Sequence, residues 1–288
     1  MRAAFLALLA LAGCAGGLRL QDHPLAGRIW DVRAGTFVTA EAMLARAARA
    51  RHVILGETHD NPEHHRLQRI ALEALAKGGA RRALAMEQFD SEHQAALDAA
   101  RAQSAGAEAL ADAGRFDRKG WNWPLYKPLV EFAVAHSWPL VAANLSRAAA
   151  RLVMSEPSRS GLAPPEPALR EALERDLVEG HCGVRPEPRR LAGMIEAQRA
   201  RDARIADRLE SARTAGTVLV TGLGHARKDV GAPLYLRSKD VVSIGFFEVD
   251  ATRKEPRDYV SGFAGHASFD YLWFTPRHAR SDPCKRSP

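Results

Sequence analysis

Two stretches of this chain share the pattern Gly-x-x-His: Gly56-Glu57-Thr58-His59 and Gly222-Leu223-Gly224-His225. Each follows a short apolar run of β character, His52-Val53-Ile54-Leu55 in the first case and Thr217-Val218-Leu219-Val220 in the second. A Gly there lets the chain turn sharply and brings backbone close to a ligand, while the His three residues on projects from the loop above the strand. Two further apolar runs end in polar residues: 83–86 closes in Glu87-Gln88, and 138–143 closes in Asn144. Glu57, His59, Glu87 and His225 at equivalent ends of neighbouring strands suit two chemistries. As nitrogen and oxygen donors they could bind a divalent metal. As paired carboxylates and imidazoles they could serve a hydrolase as general acid and base, each carboxylate orienting a ring. Polar groups convergent at such a point favour a ligand or catalytic pocket over chance.

Positioning those residues requires a particular kind of sheet. Short continuous apolar runs alternating with helical segments predict parallel strands covered on both faces, an α/β fold, with ligands outside the strands' carboxyl ends. A fifth run, 241–249, ends in Glu248 and Asp250, and the aromatic stretch 268–275 reads as an edge strand. Asn61, Pro62 and Glu63 form a helix start, and Gly78 a stop. Ser91-x-x-Gln94 has the form of a capping box. Between the third and fourth strands lie about 70 residues, 145–215, more than a crossover needs. We read them as a helical insertion beside the strand ends, with helices near 168–180 and 189–214. On the long second helix, Gln198 and Asp202 read as part of a solvated polar face. His64 and Gln68, four apart, are candidates to support the pocket, and Trp121, Trp123 and Tyr126 read as an aromatic lid with Tyr126 able to face it.

The chain has 288 residues, 46% hydrophobic and 26% charged, with a formal net charge of +7. That composition excludes disorder and a disulfide miniprotein. The surplus is nearly all Arg, 34 against 7 Lys, dispersed along the chain. With no stripe of charge and no base-reading motif, nucleic acid is excluded as a partner. Residues 1–13 carry one charge, Arg2, then an Ala-, Phe- and Leu-rich run ending Leu-Ala-Gly before Cys14. A stretch this short does not span a bilayer; it reads as a lipoprotein signal peptide whose removal leaves an acylated, palmitate-bearing Cys14 at the start of a single domain, 14–288. Ala15 after the Cys favours an outer-membrane anchor facing the periplasm. In that oxidising compartment Cys182 and Cys284 are expected to pair.

The segments "VILGETHDNPEHHRLQ", "LAMEQFD", "WNWPLYKPLVEFA", "PLVAANLSR", "GHC", "EAQRARDARIA", "TGLGHARKDVGAP" and "DPC" follow one another over nearly the whole chain. In this order they resemble the ChaN-type haem-binding lipoproteins. The resemblance implies a helix-flanked parallel sheet, haem or iron uptake at the outer membrane with a haem receptor as partner, and a homodimer holding two cofacial haems. It also implies iron bound by a Tyr, with a His of the facing subunit reaching a propionate. The tyrosines here are Tyr126, Tyr235, Tyr259 and Tyr271, and none lies in 168–179. The haem-contact candidates are Tyr126, His181 and Asn144, with Arg185, Arg189 and Arg190 to pair carboxylates. More distantly, Gly-Glu-x-His with a later Gly-x-x-His is similar to erythromycin esterases and TIKI-type metalloproteases, which are hydrolases.

Overall fold

The computed structural model describes residues 17–260, 262–263, 266–282 and 284; residues 1–13, expected to be a signal peptide, and Cys14 lie outside them. Its centre is an eight-stranded sheet. In chain order the strands are β1 (Ile29–Asp31), β2 (Thr36–Val38), β3 (His52–Glu57), β4 (Ala83–Asp90), β5 (Leu140–Asn144), β6 (Thr217–Gly222), β7 (Val241–Glu248) and β8 (Tyr271–Thr275). Their spatial order is β2-β1-β8-β7-β3-β6-β4-β5. The six from β8 to β5 run parallel, and β1 and β2 add an antiparallel margin. The aromatic strand β8 is therefore internal, paired on both sides, and not the edge its position near the end of the chain suggests.

The parallel strands read as unbroken apolar runs because each face is covered. Val53 and Leu55 of β3, Leu84 and Met86 of β4, and Val218 and Val220 of β6 enter one core with Leu67, Leu72 and Phe132. The alternate residues Ile54, Ala85 and Leu219 enter a second with Ile205, Leu209 and Phe274. Period-two alternation thus divides apolar residues between two layers.

The helix α1 (Ala40–Ala47) leads to β3, and α2 (Pro62–Ala76) follows it, with the Asn61 side chain accepting from the Glu63 N–H as a cap. After β4 come α3 (Gln94–Ala102), α4 (Ala107–Ala113) and α5 (Trp123–Ala135). The capping box expected at Ser91 does not form. Gln94 instead donates to the Leu140 carbonyl and accepts from the Ala142 N–H, so its amide supplies a partner to the outermost strand β5. The insertion holds α6 (Arg147–Ser155), α7 (Pro167–Gly180) and α8 (Pro188–Ser211). α7 and α8 bury Leu173 against Leu191 and Ile195. A disulfide joins Cys182, just past α7, to Cys284.

Candidate functional site

Parallel register places the chemistry. Glu57 pairs with Gly222 at the ends of β3 and β6, and Met86 pairs with Val220, so Glu87 begins where β6 runs out. Gly222 is needed here for space, since a Cβ on it would stand 2.9 Å from the His59 ring and 3.7 Å from a Glu87 oxygen. Gly56 likewise permits close packing, because its Cβ would meet that of Ala226 at 2.6 Å in the short helix carrying His225. Glu57, His59, Glu87 and His225 come together as two carboxylate–imidazole pairs.

In the first pair, His59 Nδ1 lies 3.0 Å from Glu57 Oε1. Glu57 is fully engaged: Tyr126 donates its hydroxyl at 2.5 Å, Gln68 donates at 2.6 Å, and His65 Nδ1 stands 3.4 Å away. Burial pushes the Glu57 carboxyl up, but His65, His59 and Tyr126 outweigh it and hold it below the ordinary range. The His65 Nε2 reaches the His59 carbonyl, tying α2 to the loop. The His59 side chain keeps 45% of its surface open and packs edge-on against Trp121. Burial lowers its pKa, and the Glu57 hydrogen bond and Glu87 charge more than reverse that.

In the second pair, Glu87 accepts from the Thr221 hydroxyl at 2.7 Å and the Gly222 N–H at 2.8 Å. Its other oxygen faces His225 Nε2 at 3.7 Å. On the far side of that ring Asp202 stands 2.6 Å from Nδ1. Burial favours the neutral ring, but Asp202 and Glu87 overcome it and raise His225 to about 9. Burial also pushes Asp202 up. We assign the shared proton to the imidazole, because two carboxylates flank it while one imidazole faces Asp202. Sequence reasoning placed Asp202 on a solvated face; it is 1% exposed and faces the site. Arg201, beside it on α8, donates to the Asn144 side chain at 2.8 Å.

His64 is buried away from the opening. Its Nδ1 accepts from the Thr58 N–H, so Nε2 carries the proton and donates to Thr275 at 2.8 Å. Burial depresses its pKa to about 3, which keeps it neutral. Such a ring braces the loop and leaves proton transfer to His59 and His225. As for a metal, no three of Glu57, His59, Glu87 and His225 bring donor atoms within 4.8 Å of one another; among the described residues the group that does is Asp90, Glu92 and His93.

The site is open as a polar cavity of about 380 Å³ beside His225, Glu87, Asn144 and Trp121. It also reaches Arg115, Arg147 and Arg201, which sequence reasoning missed because they come from three separate elements.

Haem contacts depend on donors that remain available. Tyr126 has no exposed surface and its hydroxyl is spent on Glu57. Tyr235 accepts from Arg199, Tyr259 bonds Asp250 and Arg253, and Tyr271 is buried beside Asp31. His181 is exposed at the end of α7, and its Nδ1 donates to the Leu177 carbonyl at 2.7 Å. That bond fixes the tautomer and leaves the Nε2 lone pair pointing to solvent, the usual preparation of a ligating His. A cleft of about 730 Å³ begins at the next residue, lined by Glu171, Glu174, Arg175, Glu179, Cys182 and Arg185 among others, without His181 itself. Arg185 pairs with Glu174, while Arg189 and Arg190 have exposed side chains. Among the haem-contact candidates, His181 keeps an open ring nitrogen, whereas each tyrosine is buried or already hydrogen-bonded.

A family model described as haem-binding uptake, Tiki superfamily, ChaN matches residues 43–236. Among solved structures, one described as cofacial heme binding to ChaN of Campylobacter jejuni is similar with a TM-score of 0.68 and 23% identity, over 85% of this chain and 95% of that one. The type III effector HopBA1 is similar at a TM-score of 0.46 and 14% identity, over 81% and 91% of the two chains. RRSP, a MARTX toxin effector domain from Vibrio vulnificus, gives a TM-score of 0.41 and 14% identity, over 75% and 37%. No curated protein matches at the sequence level.

Proposed function

The chain belongs to the ChaN family of the Tiki superfamily, described as haem-binding uptake proteins, and on that premise we propose that it binds haem on the α7 arm in haem or iron acquisition. The observation that carries this reading is the family match over 43–236, which includes the arm and both Gly-x-x-His segments. His181 Nε2 would take the iron, and Arg189 and Arg190 would pair the propionates. Bound haem would supply the ferric centre and its two carboxylates; the chain's part is to hold one nitrogen donor in a fixed tautomer, with Arg189 and Arg190 exposed at the start of α8. Hemin titration of the lipid-free protein tests it. A Soret band that builds to saturation in the wild type and weakens at least tenfold in His181→Ala is expected. An absent Soret shift, or one indifferent to that substitution, rejects the site.

The wider setting belongs to the same proposal: an acyl anchor at Cys14, a periplasm-facing place on the outer membrane, an outer-membrane haem receptor as donor, and a homodimer in the haem-bound form. No helix of the described residues is long and apolar enough to cross a membrane. Mass spectrometry of the membrane-extracted protein checks the anchor: a diacylated N-terminal Cys14 peptide is expected, and a soluble protein without it rejects the anchor.

A second reading is favoured by Glu57–His59 and Glu87–His225–Asp202 meeting at the strand ends, where Glu87 and His225 line the cavity. Such pairs could run acid–base hydrolysis, with the open ring of His59 exchanging the proton and His225 holding developing negative charge. Turnover of esters, amides or peptides that disappears in His59→Ala would support it, and turnover unchanged in that variant would remove it.

A further inference from the structure

We propose that the strand-end cavity is a binding site for a phosphorylated small molecule, held by Arg115, Arg147 and Arg201. The inference rests on the cavity of the second reading, and it concerns binding without requiring turnover. Three guanidinium groups line one cavity from three directions: Arg115 from the loop after α4, Arg147 from the first turn of α6, and Arg201 from the middle of α8. None forms an ion pair within 4.0 Å among the described residues, although the chain pairs many of its other arginines that way. Arg201 bonds only the neutral oxygens of Asn144 and Leu145, and Arg115 and Arg147 are exposed.

Of the carboxylates that share the cavity, Glu87 is held by Thr221, Gly222 and His225, and one Asp117 oxygen accepts from the N–H groups of Lys119 and Gly120. Asp90 feels the charges of Arg201 and Arg147, but burial, and then Glu92, push its carboxyl above its ordinary range. Gln88 lines the same cavity at 4% exposure, with its amide beside the Tyr126 hydroxyl.

The choice of phosphate follows from counting. A carboxylate is planar with two oxygens, whereas a phosphate monoester presents three terminal oxygens and nearly two charges, matching three guanidinium groups arriving from different elements. The cavity of about 380 Å³ suits a small molecule and excludes a polymer. His225 lines the same cavity, its ring held between Asp202 and Glu87.

The test is calorimetric titration of the intact protein with inorganic phosphate and phenyl phosphate, with benzoate as the carboxylate control, all at one ionic strength. Arg115→Gln and Arg147→Gln alter exposed side chains and are expected to keep the wild-type unfolding midpoint. Saturable binding of both phosphates by the wild type is expected, weakened about tenfold by each substitution and further by the two together, the size expected for one charge-assisted contact. Hemin titration of the same variants is expected to match the wild type. The proposal is overturned by no saturable phosphate binding, by benzoate binding as tightly as phenyl phosphate, by wild-type affinity in the double variant, or by a parallel loss of haem binding. Loss of the His181-dependent Soret signal alone would reject the haem reading and leave this site standing.

Discussion

At the scale of single residues, two buried histidines, His225 and His64, differ because their neighbours differ. His225 lies between Asp202 and Glu87 and is held charged, with its pKa raised to about 9. A raised folded-state value stabilises the protein fully below the unfolded value near 6.5, and the gain is lost as pH rises through about 9. The gap is worth about 3 kcal/mol. Urea unfolding at pH 6.5 and 9.5 is expected to show wild-type stability falling over that window, with His225→Gln falling less by about that amount. An equal fall in both proteins would mean the proton is not held there. His64 behaves oppositely: burial depresses it to about 3, so its contribution is intact above pH 6.5 and disappears as pH drops toward 3. Between pH 7 and 4.5 the wild type is expected to lose about 2–3 kcal/mol more than His64→Gln, read from urea midpoints and slopes.

Elements carry these residues to their places, and the closest approach is between α6 and α8. A Cβ on Gly193 would fall 2.1 Å from the Met154 carbonyl oxygen, a backbone atom that a side-chain rotation cannot move aside. Gly193→Ala is therefore expected to cost about 1–3 kcal/mol despite the better helix propensity of Ala, seen as a lower thermal midpoint. Because α8 brings Arg201 and Asp202 to the strand ends, the same variant should also weaken phosphate binding. An unchanged midpoint would mean the two helices separate freely. The central parallel strands and their polar ends are legible in the sequence because burial on both faces writes them as unbroken apolar runs. The margin strands β1 and β2 are three residues each, too short to show a period. Asp202 was misread for a different reason. The buried stripe of α8 runs Leu191, Ile195, Asp202, Ile205 and Leu209, so a carboxylate occupies a core position. Polar neighbours at Gln198 and Arg201 disguise it as a solvated face. An acid inside an apolar stripe was the available signal, and its partner, His225, is 23 residues away in sequence and invisible to spacing.

The whole molecule is tied together at its extremity by two contacts that separate the arm from the pocket. Arg280 grips Asp60 at 2.7 Å and Glu248 at 2.6 Å, fastening the tail to the loop after β3 and to the end of β7. Four residues on, Cys284 is bonded to Cys182, the neighbour of His181. This disulfide closes a separation of 102 residues, for which the chain-entropy estimate is about 4–5 kcal/mol. Cys182→Ala/Cys284→Ala is expected to lose stability of that order in urea unfolding. Cys182 sits at φ 58 in the turn that ends α7, where its N–H reaches the Glu179 carbonyl and that of Gly183 the Val178 carbonyl, and the bond ties this turn to the tail. Once released, the turn carrying His181 gains freedom, and ordering it again opposes haem binding. The strand-end cavity stands on β4, β5, α6 and α8 and has no such dependence on the tail. The double variant should therefore bind hemin several-fold more weakly than the wild type while retaining its phosphate affinity, each measured well below the unfolding midpoint. Equal losses of both ligands would show that arm and pocket are one cooperative unit, and undiminished hemin binding would move the haem site away from His181.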